Sequence, residues 1–267
     1  MAAEIEVVRC GVVPYEEARE LQEGIAARRR RGEIPDTLLL LEHPPVYTRG
    51  RRSQPGELPM GVEWYEAQGI EVRDTDRGGL VTYHGPGQLV AYPIVDLGRY
   101  SDDVHAYVRG LERAIIEALG EAGVEAQTIA GLTGVWVPRR AEMSAPPRRR
   151  DDLTKPAGQI GPSADGSGQS GPSARKIGSI GLHVSRRVTT HGLAVNVNND
   201  LQPFEWIVPC GIEGVAMTSL GRELGAEQDL GAFADALAGA YGRVLGREPV
   251  AGELEDLLPS GEPARSR

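Results

Sequence analysis

Cys210 stands between two turn formers, Pro209 and Gly211, in a chain whose other cysteine is Cys10. A thiol held on a tight bend has the access that a nucleophile needs; a cysteine buried for packing is the alternative. Nucleophilic work also needs a base or a cation in contact with the sulfur. Lys176 opens the apolar, glycine-rich segment Lys-Ile-Gly-Ser-Ile-Gly181, and the chain has one other lysine, Lys155. In a desolvated site a lysine amine can lose its proton near neutral pH and accept that of the thiol, or as ammonium stabilise the thiolate. At a solvated strand end it would do neither. His191, in Thr190-His-Gly-Leu-Ala-Val-Asn196, is a second candidate partner. It can orient a neighbour, donate to a substrate or serve a strand kink, and with Asn196 it completes a papain-like Cys-His-Asn set on paper. Spacing does not separate Cys-Lys from Cys-His.

The segment Arg77-Gly-Gly-Leu-Val-Thr-Tyr-His-Gly-Pro-Gly-Gln88 packs four glycines and a proline into twelve residues. Glycines let backbone N–H groups approach a ligand closely, and Arg77, Tyr83 and His84 can donate hydrogen bonds. The density of the segment points to a binding loop rather than to an ordinary hairpin turn. It is not a phosphate-binding Walker loop, because Gly-x-x-x-x-Gly-Lys is absent.

These residues need a scaffold. Pro14 to Arg31 reads as a helix, with proline and glutamates at its start and arginines at its end, an order that complements the helix dipole. Thr37 to Leu41 is a buried strand. Ile70–Arg73 and Leu80–Tyr83 read as strands around a Gly-Gly turn. Leu89 to Leu97 is another strand, in which Pro93 implies an edge or a bulge. Asp102 to Leu119 is an amphipathic helix with Val104, Val108, Leu111, Ile115 and Leu119 on one stripe. Gly134 to Val137 is a strand fragment. Lys176–Val184 and Val188–Val197 form a hairpin, Ile207–Ile212 crosses the Pro-Cys-Gly turn, and Leu230–Leu245 is a closing helix. Pro138 to Ala174 holds hardly any large apolar residue and reads as a flexible insertion. The expected organisation is one domain over 1–250 and a frayed tail over 251–267. Runs of strands separated by helices give a mixed α/β or α+β sheet with flanking helices.

Composition narrows the class. Aromatic residues make up 5%, so the core must be mainly aliphatic. The net charge of −9 argues against a nucleic-acid binder. No apolar run is long enough for a membrane span, and Met1–Val13 is no secretory signal. Two cysteines make no disulfide framework and no metal spacing, which favours a reduced, cytoplasmic setting.

Read together, the four segments resemble the lipoyl(octanoyl) transferase family. Its Arg-Gly-Gly-x-Val-Thr-Tyr-His-Gly-Pro-Gly-Gln matches Arg77–Gln88, and its Lys-Ile-Ala-Ser/Ala-Ile/Leu-Gly matches Lys176–Gly181 with Gly178 in place of Ala. Its Thr-x-His-Gly-Leu-Ala-x-Asn-Val fits the stretch through Val197, and its Pro-Cys-Gly-Ile is Pro209–Ile212. The resemblance spans about Thr37 to Leu245. It implies a biotin/lipoate protein ligase-like catalytic domain. It implies octanoyl transfer from acyl carrier protein to a lysine of lipoyl domains of 2-oxoacid dehydrogenases, or of the glycine cleavage H protein, with no cofactor and no metal. Cys210 would carry the acyl-thioester, and Lys176 would lower the thiol pKa and shuttle protons. Acyl contacts would fall on Arg77, Gly78, Gly79, Leu80, Val81, Thr82, Tyr83 and His84, on Ser179, Ile180 and Gly181, and on Gly192, Leu193 and Ala194, with His191 in support. Gly178 would leave the pocket wider or the strand looser. The insertion is longer than the family pattern suggests, so its far end must be anchored if Lys176 is to be positioned.

Val81, Ile180 and Leu193 are expected to line an acyl tunnel. The implied protein substrates are acidic, and so is this chain; Arg49, Arg51 and Arg52 are therefore expected to dock a partner near the site mouth. Three rival readings stand beside the transferase. They are an ATP-dependent lipoate or biotin ligase on the same fold, a cysteine hydrolase using Cys210 with His191, and a non-catalytic acyl or carrier-protein binding module.

Overall fold

The computed structural model describes residues 3–100, 103–138, 174–208 and 215–258. In chain order the elements are β1 (Ala3–Val12), α1 (Tyr15–Arg30), β2 (Thr37–Glu42), β3 (Val46–Arg49), α2 (Val62–Ala67), β4 (Glu71–Asp74), β5 (Thr82–His84), β6 (Gln88–Ile94), α3 (Val104–Glu121), β7 (Gln127–Ile129), β8 (Leu132–Val137), β9 (Arg175–Ser185), β10 (Val188–Asn196), α4 (Leu220–Leu224), α5 (Leu230–Leu245), β11 (Arg247–Ala251) and α6 (Leu254–Leu257). Among the described residues, eight strands make a mixed sheet in the order β11-β1-β2-β6-β10-β9-β8-β7, and β4-β3-β5 make a small second one.

The central strands β2, β6 and β10 are buried at nearly every position because both faces of the sheet are covered. Leu38, Leu40, Leu89, Ala91, Leu193 and Val195 pack toward α3 and α5. Leu39, Leu41, Val90, Tyr92 and Ala194 pack with Ala18, Ile25 and Ala26 of α1. Caps set the starts of α3 and α5: Asp103 accepts from His105 N–H at 2.8 Å, and Asp229 from Ala232 N–H at 3.0 Å. The small sheet carries an aromatic cluster in which Tyr47 meets Tyr65 and Tyr83 with ring centroids 4.9 and 5.5 Å apart.

Pro93 is neither at an edge nor in a bulge. It lies in β6, between β2 and β10, paired with Leu38 of β2. The β6–β10 ladder runs from Gln88–Asn196 to Ala91–Leu193. It resumes where Thr189 N–H donates to Val95 O at 3.0 Å. At the gap Pro93 offers no N–H. His191 opposite turns out of the ladder with φ 56°, and its N–H donates instead to Gln22 Oε1 of α1 at 2.6 Å. Thr189 Oγ1 supplies the missing donor to Pro93 O at 2.6 Å. A proline is tolerated mid-sheet because its partner residue leaves the ladder.

Other expectations change as well. The strands on either side of Gly78-Gly79 do not pair with each other; β4 and β5 both pair with β3, which the sequence did not suggest, and Leu80 and Val81 stay in the loop. The sheet also recruits β1 and β11, which were not anticipated. The stretch expected to be frayed from residue 251 is structured as far as it is described: Ala251 ends β11, and Leu257 of α6 is 1% exposed against the α1 face. Residues 259–267 lie outside the described residues, as does the expected insertion apart from its ends, Pro138 and Ala174. Its far end is held: Ala174 is buried, Arg175 pairs with Glu223 at 2.9 Å, and Lys176 N–H donates to Ala216 O at 2.8 Å.

Candidate active site

A cavity of about 390 Å³ opens where the loop before β5, the β9–β10 hairpin and the start of α3 meet. Of the residues singled out from sequence, Arg77, Gly78, Gly79, Leu80 and Val81 line it from the loop, and Thr82 and His84 from β5. Lys176, Ser179, Ile180 and Gly181 line it from β9, and His191, Gly192, Leu193 and Ala194 from β10. Tyr83 is the exception. Its ring turns into the aromatic cluster, 5.5 Å from Phe204, because alternate residues of a strand face opposite sides. Cys210 lies outside the described residues, together with Pro209, Gly211 and Ile212. The chain that resumes at Val215 pairs at once with Lys176, through a Lys176–Met217 bridge and Thr218 N–H to Lys176 O at 2.9 Å.

Lys176 is 3% exposed. Its Nζ donates to Thr133 O at 3.2 Å and stands 5.3 Å from the centre of the Trp136 ring. Gly134 makes this possible. A Cβ there would lie 2.8 Å from Lys176 Cε and 3.2 Å from Nζ, and the residue has φ 120°. Its N–H is held by the buried carboxylate of Glu112 at 2.9 Å. Sequence reading singled out neither Gly134 nor Glu112; the glycine looked like an ordinary strand start.

The loop is fastened from behind. Arg77 sends Nε and Nη2 to Thr48 Oγ1 at 3.2 and 2.8 Å, so its guanidinium braces β3 as well as lining the cavity. Gly78 N–H donates to Leu182 O at 2.8 Å, and Val81 N–H to the buried Glu57 carboxylate at 3.0 Å. Glu57 O also accepts from Val208 N–H at 3.1 Å, which ties the loop to the chain that leads toward Cys210. The amides of Gly79 and Leu80 have no acceptor among the described residues.

Two networks fix the histidines. His84 Nδ1 meets Gln88 Oε1 at 2.7 Å, and Gln88 Nε2 donates to Asn196 Oδ1 at 2.9 Å. Asn196 Nδ2 in turn donates to Thr218 O at 3.0 Å. Asn196 is therefore a strut between the loop and the Lys176 strand pair rather than a partner of His191. An amide oxygen only accepts, so His84 carries its proton on Nδ1; burial holds its pKa well below the usual value and the ring neutral. His191 Nε2 meets Asp76 Oδ1 at 2.7 Å, and His183 Nε2 lies 3.5 Å from Asp76 Oδ2. The His191 bond holds the Asp76 carboxyl down at about 2. Asp76 was missed in the sequence because an acidic residue before a glycine turn carries no signal of its own. His43 donates from Nδ1 to Val13 O at 2.7 Å and accepts from Tyr92 O–H at 2.7 Å; burial lowers it to about 4.

The cavity wall also uses Tyr15, Tyr92, Leu132, Trp136 and Leu182. Val104 and Val108 belong to it, so the first turns of the α3 stripe face the cavity and not the sheet, and Val104 remains 38% exposed. Gly178 does not widen the pocket. It faces the core, where a Cβ would stand 3.3 Å from both Ile115 Cγ2 and Val135 Cβ. Arg52 lines the cavity, Arg51 is exposed beside it, and Arg49 pairs with Asp74 at 2.7 Å. Cys10 is half-buried, and burial pushes its thiol up to about 12, which leaves it protonated.

A mixed sheet flanked by helices thus encloses a glycine-looped cavity with a lysine at its end. Residues 14–242 match the family model described as "Lipoyl protein ligase A/B catalytic domain", and the chain belongs to that family. It is 42% identical over 240 residues to the octanoyltransferase of Chloroflexus aurantiacus, covering 90% of this chain and 93% of that one. It is 43% identical over 247 residues to that of Mycolicibacterium smegmatis, covering 92% of each. In fold it is similar to a bi-partite lipoate protein ligase from Thermoplasma acidophilum, with a TM-score of 0.65 at 15% identity, covering 96% of this chain and 90% of that one. A lipoate-protein ligase A bound with ATP gives 0.60, also at 15% identity, covering 96% and 92%.

Proposed function

We propose that this chain is a cytoplasmic octanoyltransferase of lipoate biosynthesis that moves an octanoyl group from acyl carrier protein to a lysine of lipoyl domains, including that of the glycine cleavage H protein, through a thioester on Cys210. The observation that carries the mechanism is the buried amine of Lys176, set in a cavity that is also lined by residues from all three stretches singled out for acyl contact. Five residues separate Cys210 from Ala216, so the six Cα–Cα steps between them span at most about 22 Å, and Ala216 is bonded to Lys176.

The thiolate of Cys210 attacks the donor thioester. The carbonyl oxygen becomes an oxyanion, for which Gly79 and Leu80 N–H are the loop donors, since those of Gly78 and Val81 are engaged. One such donor is worth about 3 kcal/mol in the transition state. The carrier thiol leaves with a proton from Lys176, and the octanoyl-enzyme remains. The acceptor lysine then attacks, and Lys176 takes its proton. Each methylene of the chain buried along Val108, Trp136 and Ile180 contributes about 0.8 kcal/mol. ATP is not required, because the donor is already a thioester. The bond from His191 to Asp76 fixes the ring on β10.

Intact mass spectrometry after mixing with octanoyl-acyl carrier protein tests the reading. The expected result is one octanoyl adduct on Cys210, absent in Cys210→Ala and discharged by a lipoyl domain. Octanoylation of the acceptor by Cys210→Ala with ATP and free octanoate would assign the chain to the ligases instead.

A further inference from the structure

The β9–β10 hairpin turns at Arg186 and Arg187, whose φ values of 49° and 70° both lie in the left-handed region. A two-residue turn of this kind is relaxed as Asn-Gly, because a Cβ is strained there. Here the strained positions carry two long cations. The turn is pinned: Leu97 N–H donates to Arg187 O at 2.8 Å, and Arg187 Nε stands 3.4 Å from Asp96 Oδ1. The Arg187 guanidinium covers Gly98, where any side chain would collide with it. Facing the turn is the C-terminal end of α1, from which Arg30 Nε donates to Ser185 O at 3.3 Å. Arg29, Arg30, Arg31, Arg186 and Arg187, with Asp96, line a cleft of about 390 Å³.

Arg29 supplies the second observation. It is 5% exposed, and its Nε donates to Asp36 Oδ1 at 2.6 Å. Its Nη2 is buried with no acceptor among the described residues. A buried guanidinium N–H without a partner is costly unless an acceptor arrives. The neighbouring carboxylates are already used. Asp36 also accepts from Asp96 N–H, Asp96 from Gly98 N–H, and Glu33 pairs with Arg31 and Arg28. Five arginines against these three acids leave the cleft positive on a chain of net charge −9.

We propose that this cleft is an oxyanion-binding site that holds a multiply charged phosphate or carboxylate group among the five arginines. The planar forks of arginine suit such groups, which they engage two bonds at a time. The site is separate from the acyl cavity: four residue steps of extended strand, about 13 Å, take the chain from Arg187 to His191. A free phosphate-type ion and the acidic side chains of a protein substrate share the required chemistry.

The test uses the full chain and the double variant Arg186→Asn/Arg187→Gly. That variant gives the turn its relaxed sequence, so it removes charge without removing the hairpin. Inorganic phosphate is titrated by calorimetry at constant ionic strength, and the KM for octanoyl-acyl carrier protein is measured in phosphate-free buffer. The expected result is saturable, one-site phosphate binding that weakens more than tenfold in the variant. If the KM rises as well, or rises without phosphate binding, the ligand group belongs to the protein substrate; an unchanged KM alongside lost phosphate binding assigns the site to a free ion. Equal phosphate binding by both proteins overturns the proposal. So does the absence of both phosphate binding and a KM change. The phosphate arm does not depend on the transfer activity, so its failure is distinct from failure of that reading.

Discussion

At the scale of single residues, the buried amine of Lys176 depends on a residue with no side chain. Gly134 leaves the space through which Lys176 reaches the cavity, and its φ of 120° disfavours any other residue. Gly134→Ala would meet both the backbone strain, about 1–3 kcal/mol, and the Lys176 side chain. Displacing the amine by an ångström is expected to slow acyl-enzyme formation about 100-fold, while circular dichroism shows the fold retained. Stopped-flow quench with mass detection checks this; an unchanged acylation rate would show that Lys176 does not depend on Gly134. Asp76, Glu57 and Glu112 belong to the same scale. Each is a carboxylate whose role is to hold a site residue or a loop amide, and none stands in a recognisable motif.

Elements position these residues by exchanging hydrogen bonds across the sheet. The gap in the β6–β10 ladder brings Pro93 and His191 opposite each other, and α1 closes it through Gln22. Gln22→Ala leaves the His191 N–H buried and unpaired. The expected cost is about 1 kcal/mol, at the low end for such a group, since Gln22 Nε2 is itself without a partner among the described residues. Urea denaturation reads the loss, and faster hydrogen exchange at the His191 amide localises it. Protection equal to that of the parent chain would mean that α1 does not hold the kink. The struts through Gln88 and Asn196 work in the same way, because they join β5, β6, β10 and the Thr218 segment that pairs with Lys176.

For the whole molecule, buried neutral histidines and surface charge set the response to conditions. His43 is lowered from 6.5 to about 4 by burial. Below pH 6.5 the unfolded chain binds a proton that the folded chain refuses, so stability falls as pH drops from 6.5 to 4. One such group contributes a slope of about 1.4 kcal/mol per pH unit, and His84 acts in the same direction. His43→Asn should therefore be less stable at pH 7 yet show a flatter acid limb in thermal melts, and an unchanged limb would remove His43 as its cause. Long-range charge acts on encounter. Arg51→Glu/Arg52→Glu is expected to raise the KM for an acidic acyl carrier several-fold at low salt and less at high salt. If neither protein substrate's KM changes, these arginines play no part in docking. No helix among the described residues is long and apolar enough to cross a membrane.

Much of this was legible along the chain. Local patterning decides α1, α3, α5, the β9–β10 hairpin and the binding loop, because capping, periodicity and glycine density act over a few neighbouring residues. The same short range explains why the four chemical segments could be picked out one by one. Tertiary structure alone decided where β1, β3 and β11 pair, why Pro93 can sit in the middle of a sheet, and that Tyr83 turns away from the cavity while Val104 and Val108 turn into it. Those outcomes depend on which face of an element meets which partner, and partners distant in sequence leave no mark on the local pattern. The same holds for Gly134 and Asp76, whose importance comes only from the side chains that the fold brings against them.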